Sequence, residues 1–463
     1  MKLFLLMCCG LAAPAAFGQV TQIWTGGVGG VTNNGIDIGY SNNWGGILPT
    51  TAGDTGEWNG TVPGNLHLVY DTITLPGGFV QNNGVNFYVN SAQTGSVTIG
   101  TDLTSTPTIA ILNLTIDSGA GAFTFGGPDT SHRINWVGRP AGAIHSLINN
   151  SANTATLTPW IRFTAGGGNQ YELDFSGTGN WEADSYLEND NSSGGTLVNL
   201  EGPGTLTWNP TGVLGGHAIS SPITINGGTL ILINPHPRLG NQAITMNGNF
   251  TWAPTNASAA QTLSGSISGA GTNTISSGVL TLTGASVYTG DTILAGGEVI
   301  ANGAEIPGTS GPLGLGTIQF KGGILGFGVN NVFDYSGRFS TAAGQAYNID
   351  TAGQNVAFTN AVGLTGTGNT LTKLGAGTLT LAAPSTYTGL TTVSAGKLVF
   401  QGSKSGSGDI TVADNAALGA TAGVQLTPGT LTVGSTSGGT LVFNNVNSTT
   451  TPLIAAGTIA TAG

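Results

Sequence analysis

The residues best suited to do chemistry are six carboxylates in a short run: Glu172 and Asp174, Glu182 and Asp184, Glu188 and Asp190. Each pair has the form Glu-x-Asp, and on a strand residues two apart share a face. Two carboxylates held on one face can serve glycoside hydrolysis, one as acid and one as base or nucleophile. They can also hold Ca²⁺ through oxygen ligands, for which Glu188 and Asp190 are the candidates. The simpler reading is that these acids sit on solvent faces and keep a charge-poor protein soluble. On that reading the chain has no catalytic residues, no metal and no cofactor, and Glu172, Asp174, Glu182 and Asp184 are only the acids that an enzyme would use.

A second polar group comprises Asp129, His132, Arg133, Arg139 and His145. Arg beside carboxylates can line a groove for sugar acids, but no third partner is identifiable. The alternative is that these residues hydrogen-bond neighbouring backbone. Other signatures of chemistry are missing from the sequence. It has no His-Glu-x-x-His helix, no Gly-x-Ser-x-Gly elbow, no phosphate-binding loop and no strict Gly-x-Gly-x-x-Gly. The nonapeptide that binds Ca²⁺ in β-rolls is also absent.

The elements that must position these acids are strands. Of 463 residues 79 are Gly, and charged residues make up only 7%. Hydrophobic residues account for 39% and fall in alternating beads, which separates the chain from disordered Gly-rich sequences. The helical period is absent. Ten Lys and Arg against 21 Asp and Glu give a net charge of −11, with no basic cluster. That balance excludes nucleic acid as a partner, since neutralising phosphates takes clustered Lys and Arg.

The N-terminus reads Met-Lys, an apolar run from Leu3 to Ala16, then Phe17-Gly18. This is the layout of a secretory signal peptide over residues 1–18, cleaved after Gly18 or, alternatively, after Ala15. The run is shorter than the about 20 residues of a membrane span. Both cysteines, Cys8 and Cys9, lie inside it, so the mature protein has no disulfide and no thiol ligand. No later segment is long and apolar enough to cross a membrane as a helix.

The clearest strand pattern is Gly368–Phe400, GNTLTKLGAGTLTLAAPSTYTGLTTVSAGKLVF. Leu371, Leu374, Leu379, Leu381, Val393, Leu398 and Phe400 are its apolar beads, and Gly375, Gly377, Gly389 and Gly396 break the runs. The phrase Leu280-Thr-Leu282, Tyr288-Thr-Gly290, Thr292, Gly297 matches Leu379-Thr-Leu381, Tyr387-Thr-Gly389, Thr391, Gly396 without a gap. Looser copies begin at Gly228, Gly429 and Gly439, which marks a repeat architecture. The segment "GAGTLTL…STYTGLTTVSAGKLVF" resembles the autotransporter-associated β-strand repeat, also called the passenger-associated transport repeat. The opening segments Gln22–Gly27 and Ser41–Gly46 are similar to the start of many such proteins.

The resemblance implies a secreted bacterial passenger domain folded as an all-β, right-handed parallel β-helix, a solenoid. It supplies no catalytic residue to transfer. After the last repeat, Leu453–Gly463 is small and polar and carries neither the barrel strands nor the terminal aromatic of self-exporting relatives. The expected organisation is a signal peptide (1–18), a Trp/Gly-rich N-terminal cap with Trp24, Trp44 and Trp58 (19–70), divergent coils (71–215) and repeat-bearing coils (216–463). Coils of roughly 20–25 residues are expected by analogy with other solenoids. Strand candidates in the divergent part include Asn86–Asn90, Ile109–Ile116, Leu157–Phe163 and Thr196–Leu200. The expected function is that of an exported structural or adhesive protein at the cell surface, in contact with extracellular polysaccharide or cell-surface components. The alternative is a polysaccharide lyase or glycoside hydrolase on the same scaffold, using the acids of 172–190.

Overall fold

The computed structural model of the chain describes residues 21–25, 31–32, 35–37, 54–69, 85–100, 108–109, 111–126, 134–138, 144–158, 161–165, 171–185, 187, 196–211, 219, 222–360, 364–421, 423–444 and 452–461. They form a stacked-coil β-solenoid. The strands lie in a ten-stranded sheet (Thr21–Ile23 to Ile267–Ser268), a 13-stranded sheet (Val31–Thr32 to Ile318–Phe320), a second ten-stranded sheet (Ala260–Leu263 to Thr458–Ala460), a five-stranded sheet (Asn355–Phe358 to Thr440–Asn444) and a small three-stranded one. Strand pairs are parallel, apart from the short pair Val31–Thr32 and Gly35–Asp37. Such ladders require each strand to pair with the equivalent strand of the next coil, about 4.8 Å away.

Coil length varies. The Ile267 amide reaches Ser286 Oγ 19 residues on, whereas the Ser146 amide bonds Asn113 Oδ1 33 residues back. The longer early coils include the third-face strands Thr108–Ile109, Ile134–Gly138 and Ile161–Ala165. The candidate strand Leu157–Phe163 is in fact two. Ala155–Leu157 belongs to the 13-stranded sheet and Ile161–Ala165 to the three-stranded one. Pro159, with no N–H to give a ladder, falls between them.

The tight Gly-containing corner of each coil changes face twice. It joins Ile223–Ile225 to Thr229–Leu232, and so the first ten-stranded sheet to the 13-stranded one. From Asn273–Ile275 and Val279–Leu282 it joins the 13-stranded sheet to the second ten-stranded one. From Ala346–Asp350 and Asn355–Phe358 it joins the second ten-stranded sheet to the five-stranded one. The second change is filled by Phe320, Phe327, Phe333, Tyr335, Phe339, Tyr347 and Phe358, which stack with centroids 4.9–6.3 Å apart. There Glu305 accepts from Tyr335 Oη at 2.9 Å and lies 3.6 Å from Arg338 Nη1, clamping two loops together.

The repeated phrase is explained by its buried pairs. Tyr288 and Tyr387 are fully buried, and each phenol bonds the Oγ1 of the Thr four residues on, Thr292 and Thr391, at 2.6 Å. Leu379, Leu381, Val393, Leu398 and Phe400 point inward as expected. Leu374 does not. Leu371 and Leu374 are three apart and cannot share a strand face, so the inward position goes to Lys373. Its Nζ donates to the carbonyls of Leu374 and Gly375 at 2.7 Å and of Ala395 at 3.3 Å. Lys404 is also buried. It bonds Gly406 O at 2.6 Å and lies 4.7 Å from the Tyr387 ring centre. Exposed acids join coils from outside: Asp414 accepts from the amides and hydroxyls of Ser435 and Thr436, which hold its carboxyl far below the usual range.

Two outcomes follow from this packing. Leu381 stacks between Phe358 and Phe400, so Leu381→Ala is expected to cost about 2–5 kcal/mol in chemical denaturation; unchanged stability would refute its inward placement. Burial pulls Lys373 and Lys404 down to about 8 from the ordinary 10.5. Between those values the unfolded chain binds protons that the folded one does not, so stability rises with pH across that window. Thermal melts of the Lys373→Met/Lys404→Met double variant should lose this rise; an unaltered profile would contradict it.

Candidate functional site

The strand Tyr171–Ser176 buries Leu173 and Phe175 and turns Glu172 and Asp174 outward on the first ten-stranded sheet. A corner at 177–180 follows. The next strand, Trp181–Ala183, buries Trp181 and Ala183 and turns Glu182 outward on the 13-stranded sheet, with Asp184 just beyond. The two acid pairs therefore lie on different faces of the solenoid. Glu188 and Asp190 fall outside the described residues, as do Asp129, His132, Arg133, Arg139 and Trp44.

Each described pair is engaged by an amide of the following coil. Asn199 Nδ2 donates to Glu172 Oε1 at 2.9 Å and to Asp174 Oδ1 at 2.7 Å. Asn209 Nδ2 donates to Asp184 Oδ1 at 2.8 Å. Partial burial raises the pKa of Glu172, Asp174 and Glu182; repulsion from Asp174 adds to the rise at Glu172, and repulsion from Asp184 to that at Glu182. The Asn199 bonds act in the opposite direction. Among the described residues no group of three His, Cys, Asp or Glu is placed to hold a metal ion. His145 is buried, with Nδ1 2.8 Å from Ile111 O, and burial pushes its pKa down to about 4, so it is a neutral core imidazole at physiological pH.

A different feature of the same sheet was not visible in local sequence. The strand register aligns Thr21, Thr55, Asn86, Asn113, Ser146, Asp174, Asn199, Thr224, Thr245 and Ser268 in one row, one residue per strand. Every member is short and polar. The adjacent row carries Glu57, Tyr88, Thr115 and Ile148. Short side chains beside longer ones leave an open trough of about 560 Å³, bounded by Thr21, Glu57, Tyr88, Asn113, Ser146 and Ile148. Asn113 Nδ2 donates to Asn86 Oδ1 at 2.8 Å, and Asn90 Nδ2 to Glu57 Oε1 at 3.0 Å. The Tyr88 phenol donates a short bond to Asp117 Oδ2, which with burial pushes its pKa up to about 12. Row neighbours are tens of residues apart along coils of unequal length, so no fixed spacing marks them.

Comparison with known proteins bears on the coils rather than on this row. The chain carries two matches to the Passenger-associated-transport-repeat, at residues 275–301 and 371–400. No curated protein and no solved structure matches it significantly. The matched segments contain the buried Tyr–Thr pairs and the Gly corners, and none of the row residues. Among the described residues, no helix is long and apolar enough to cross a membrane.

Asn199→Ala is expected to raise the titration midpoints of both Glu172 and Asp174, read by carboxyl-carbon NMR, since it removes the one bond that favours their ionised forms. Midpoints that stay in place would show that the amide does not hold the pair.

Proposed function

We propose that the chain is an exported, non-catalytic structural rod of the passenger type, whose outward sheet faces make adhesive contacts with extracellular polysaccharide or cell-surface components. The right-handed wind, the signal peptide over 1–18, the cap over 19–70 and the division into divergent (71–215) and repeat-bearing (216–463) coils belong to this reading. The packing of Trp24 against Trp58 at 6.4 Å, and of Trp58 against Phe87 at 5.2 Å, both Trp being buried, supports a capping role for the first coils. The repeat matches support the export role.

The observation that carries the non-catalytic reading is the separation of the acids. Glycosidic cleavage by a carboxylate pair takes two groups flanking one bond, about 5–9.5 Å apart across a bound sugar. Glu172 and Asp174 point from one sheet and Glu182 and Asp184 from another. Glu172 and Asp174, which do share a face, share one amide donor as well, the arrangement of a coil-to-coil tie.

The test is a cleavage assay over a broad polysaccharide panel, read by reducing ends and by unsaturated products, alongside retention of labelled protein on cell surfaces. Retention without cleavage is the expected result. Cleavage abolished by Asp174→Asn or Glu182→Gln in a folded protein would establish the enzyme instead.

A further inference from the structure

We propose that the trough over the polar row of the first ten-stranded sheet binds an extended, uncharged polysaccharide laid along the rod axis. This rests on the adhesive reading above and names its ligand. Four observations carry it.

The first is direction. Parallel ladders stack successive strands about 4.8 Å apart, perpendicular to the strands. The row Thr21-Thr55-Asn86-Asn113-Ser146 therefore runs along the rod. A linear polymer aligned with it meets one polar side chain per strand. The trough is open to solvent, which suits a chain lying across it rather than a small molecule enclosed on all sides.

The second is hydrogen-bonding type. Thr and Ser hydroxyls and Asn amides each donate and accept. So do sugar hydroxyls. These short side chains also lose little rotamer entropy on engagement compared with long ones, and the Asn113–Asn86 bond already fixes two of them.

The third is the flank. Tyr88 and Ile148 stand beside the row and offer apolar surface to the C–H faces of sugar rings. The Tyr88 ring is held in place by its bond to Asp117, so its orientation is set before a ligand arrives.

The fourth is charge. Among the described residues, the charged groups of this face are carboxylates: Glu57 in the trough, Asp117 behind Tyr88, and Glu172 and Asp174 farther along. Lys and Arg are absent from the described outward positions of these strands. The whole chain carries −11. Acidic polymers such as uronate or sulfated chains meet repulsion that no described Lys or Arg of these strands offsets, which selects for uncharged ones.

The experiment is affinity electrophoresis of the full chain in gels containing uncharged polysaccharides (dextran, mixed-linkage glucan, galactomannan, arabinoxylan) or acidic ones (polygalacturonate, alginate), with thermal melts to confirm folding. The wild type should be retarded by at least one uncharged polymer and by neither acidic one. Tyr88→Ala, which removes the flat flank, and Ser146→Arg, which fills the trough, should each weaken retardation about tenfold, equivalent to ~1.4 kcal/mol. Thr207→Arg, on the outward face of the 13-stranded sheet, should leave it unchanged. Retardation by acidic polymers, or retardation that survives both trough variants in folded protein, overturns the proposal. Failure to bind any uncharged polymer while the protein is still retained on cell surfaces overturns it too and leaves the adhesive reading standing. Loss of retention on every surface overturns both.

Discussion

Each coil of this protein lies one strand spacing from the next, and at the corners that spacing leaves no room for a side chain. The column Gly177, Gly202, Gly227, Gly248, Gly271, Gly290 and Gly316 shows the consequence. A Cβ on any of the last six would press against the backbone of the glycine before it in the column. Only Gly177 of these has a positive φ. The glycines of this column are thus required by close approach more than by backbone angle, and the same holds for Gly389, which packs on Asn369. Much of the unusual glycine content follows from this one constraint. So does the division of labour among side chains, because tight corners let the inward positions close into a continuous apolar core.

With the interior closed, function is confined to the outward faces, and those faces are not equivalent along the rod. The first ten-stranded sheet ends at Ile267–Ser268, where the corner moves to the next face. The polar row ends at the same place. Both repeat matches lie beyond it. The early coils present a long, uniform polar strip, and the later ones carry the repeat with its buried Tyr–Thr pairs. The aromatic cluster and the Glu305–Arg338 clamp occupy the second corner change, where they pack the interior as the corner moves from one sheet to the next.

Much of the fold was legible in Gly368–Phe400, because alternation over a few residues reports which side chains share a face. The same rule corrects a detail of that stretch. Leu371 and Leu374 both have the look of beads, yet their odd spacing places Lys373 inside. The acids were less legible. Glu172 and Glu182 are near in sequence, but the corner at 177–180 sends them to different sheets, and whether a given glycine turns the chain onto a new face depends on the coil around it. The polar row was not legible at all. Its members lie 21 to 34 residues apart, and only the register aligns them.

The central claim is that a straight row of outward polar residues is built by stacking one strand per coil. With Cys8 and Cys9 replaced by Ser, spin labels can be placed at Thr55→Cys and Thr245→Cys and their separation measured by pulsed dipolar spectroscopy. Seven strand spacings separate the two positions. The account predicts a single narrow distance distribution near ~34 Å. A broad distribution, or a mean far from that value, would contradict it.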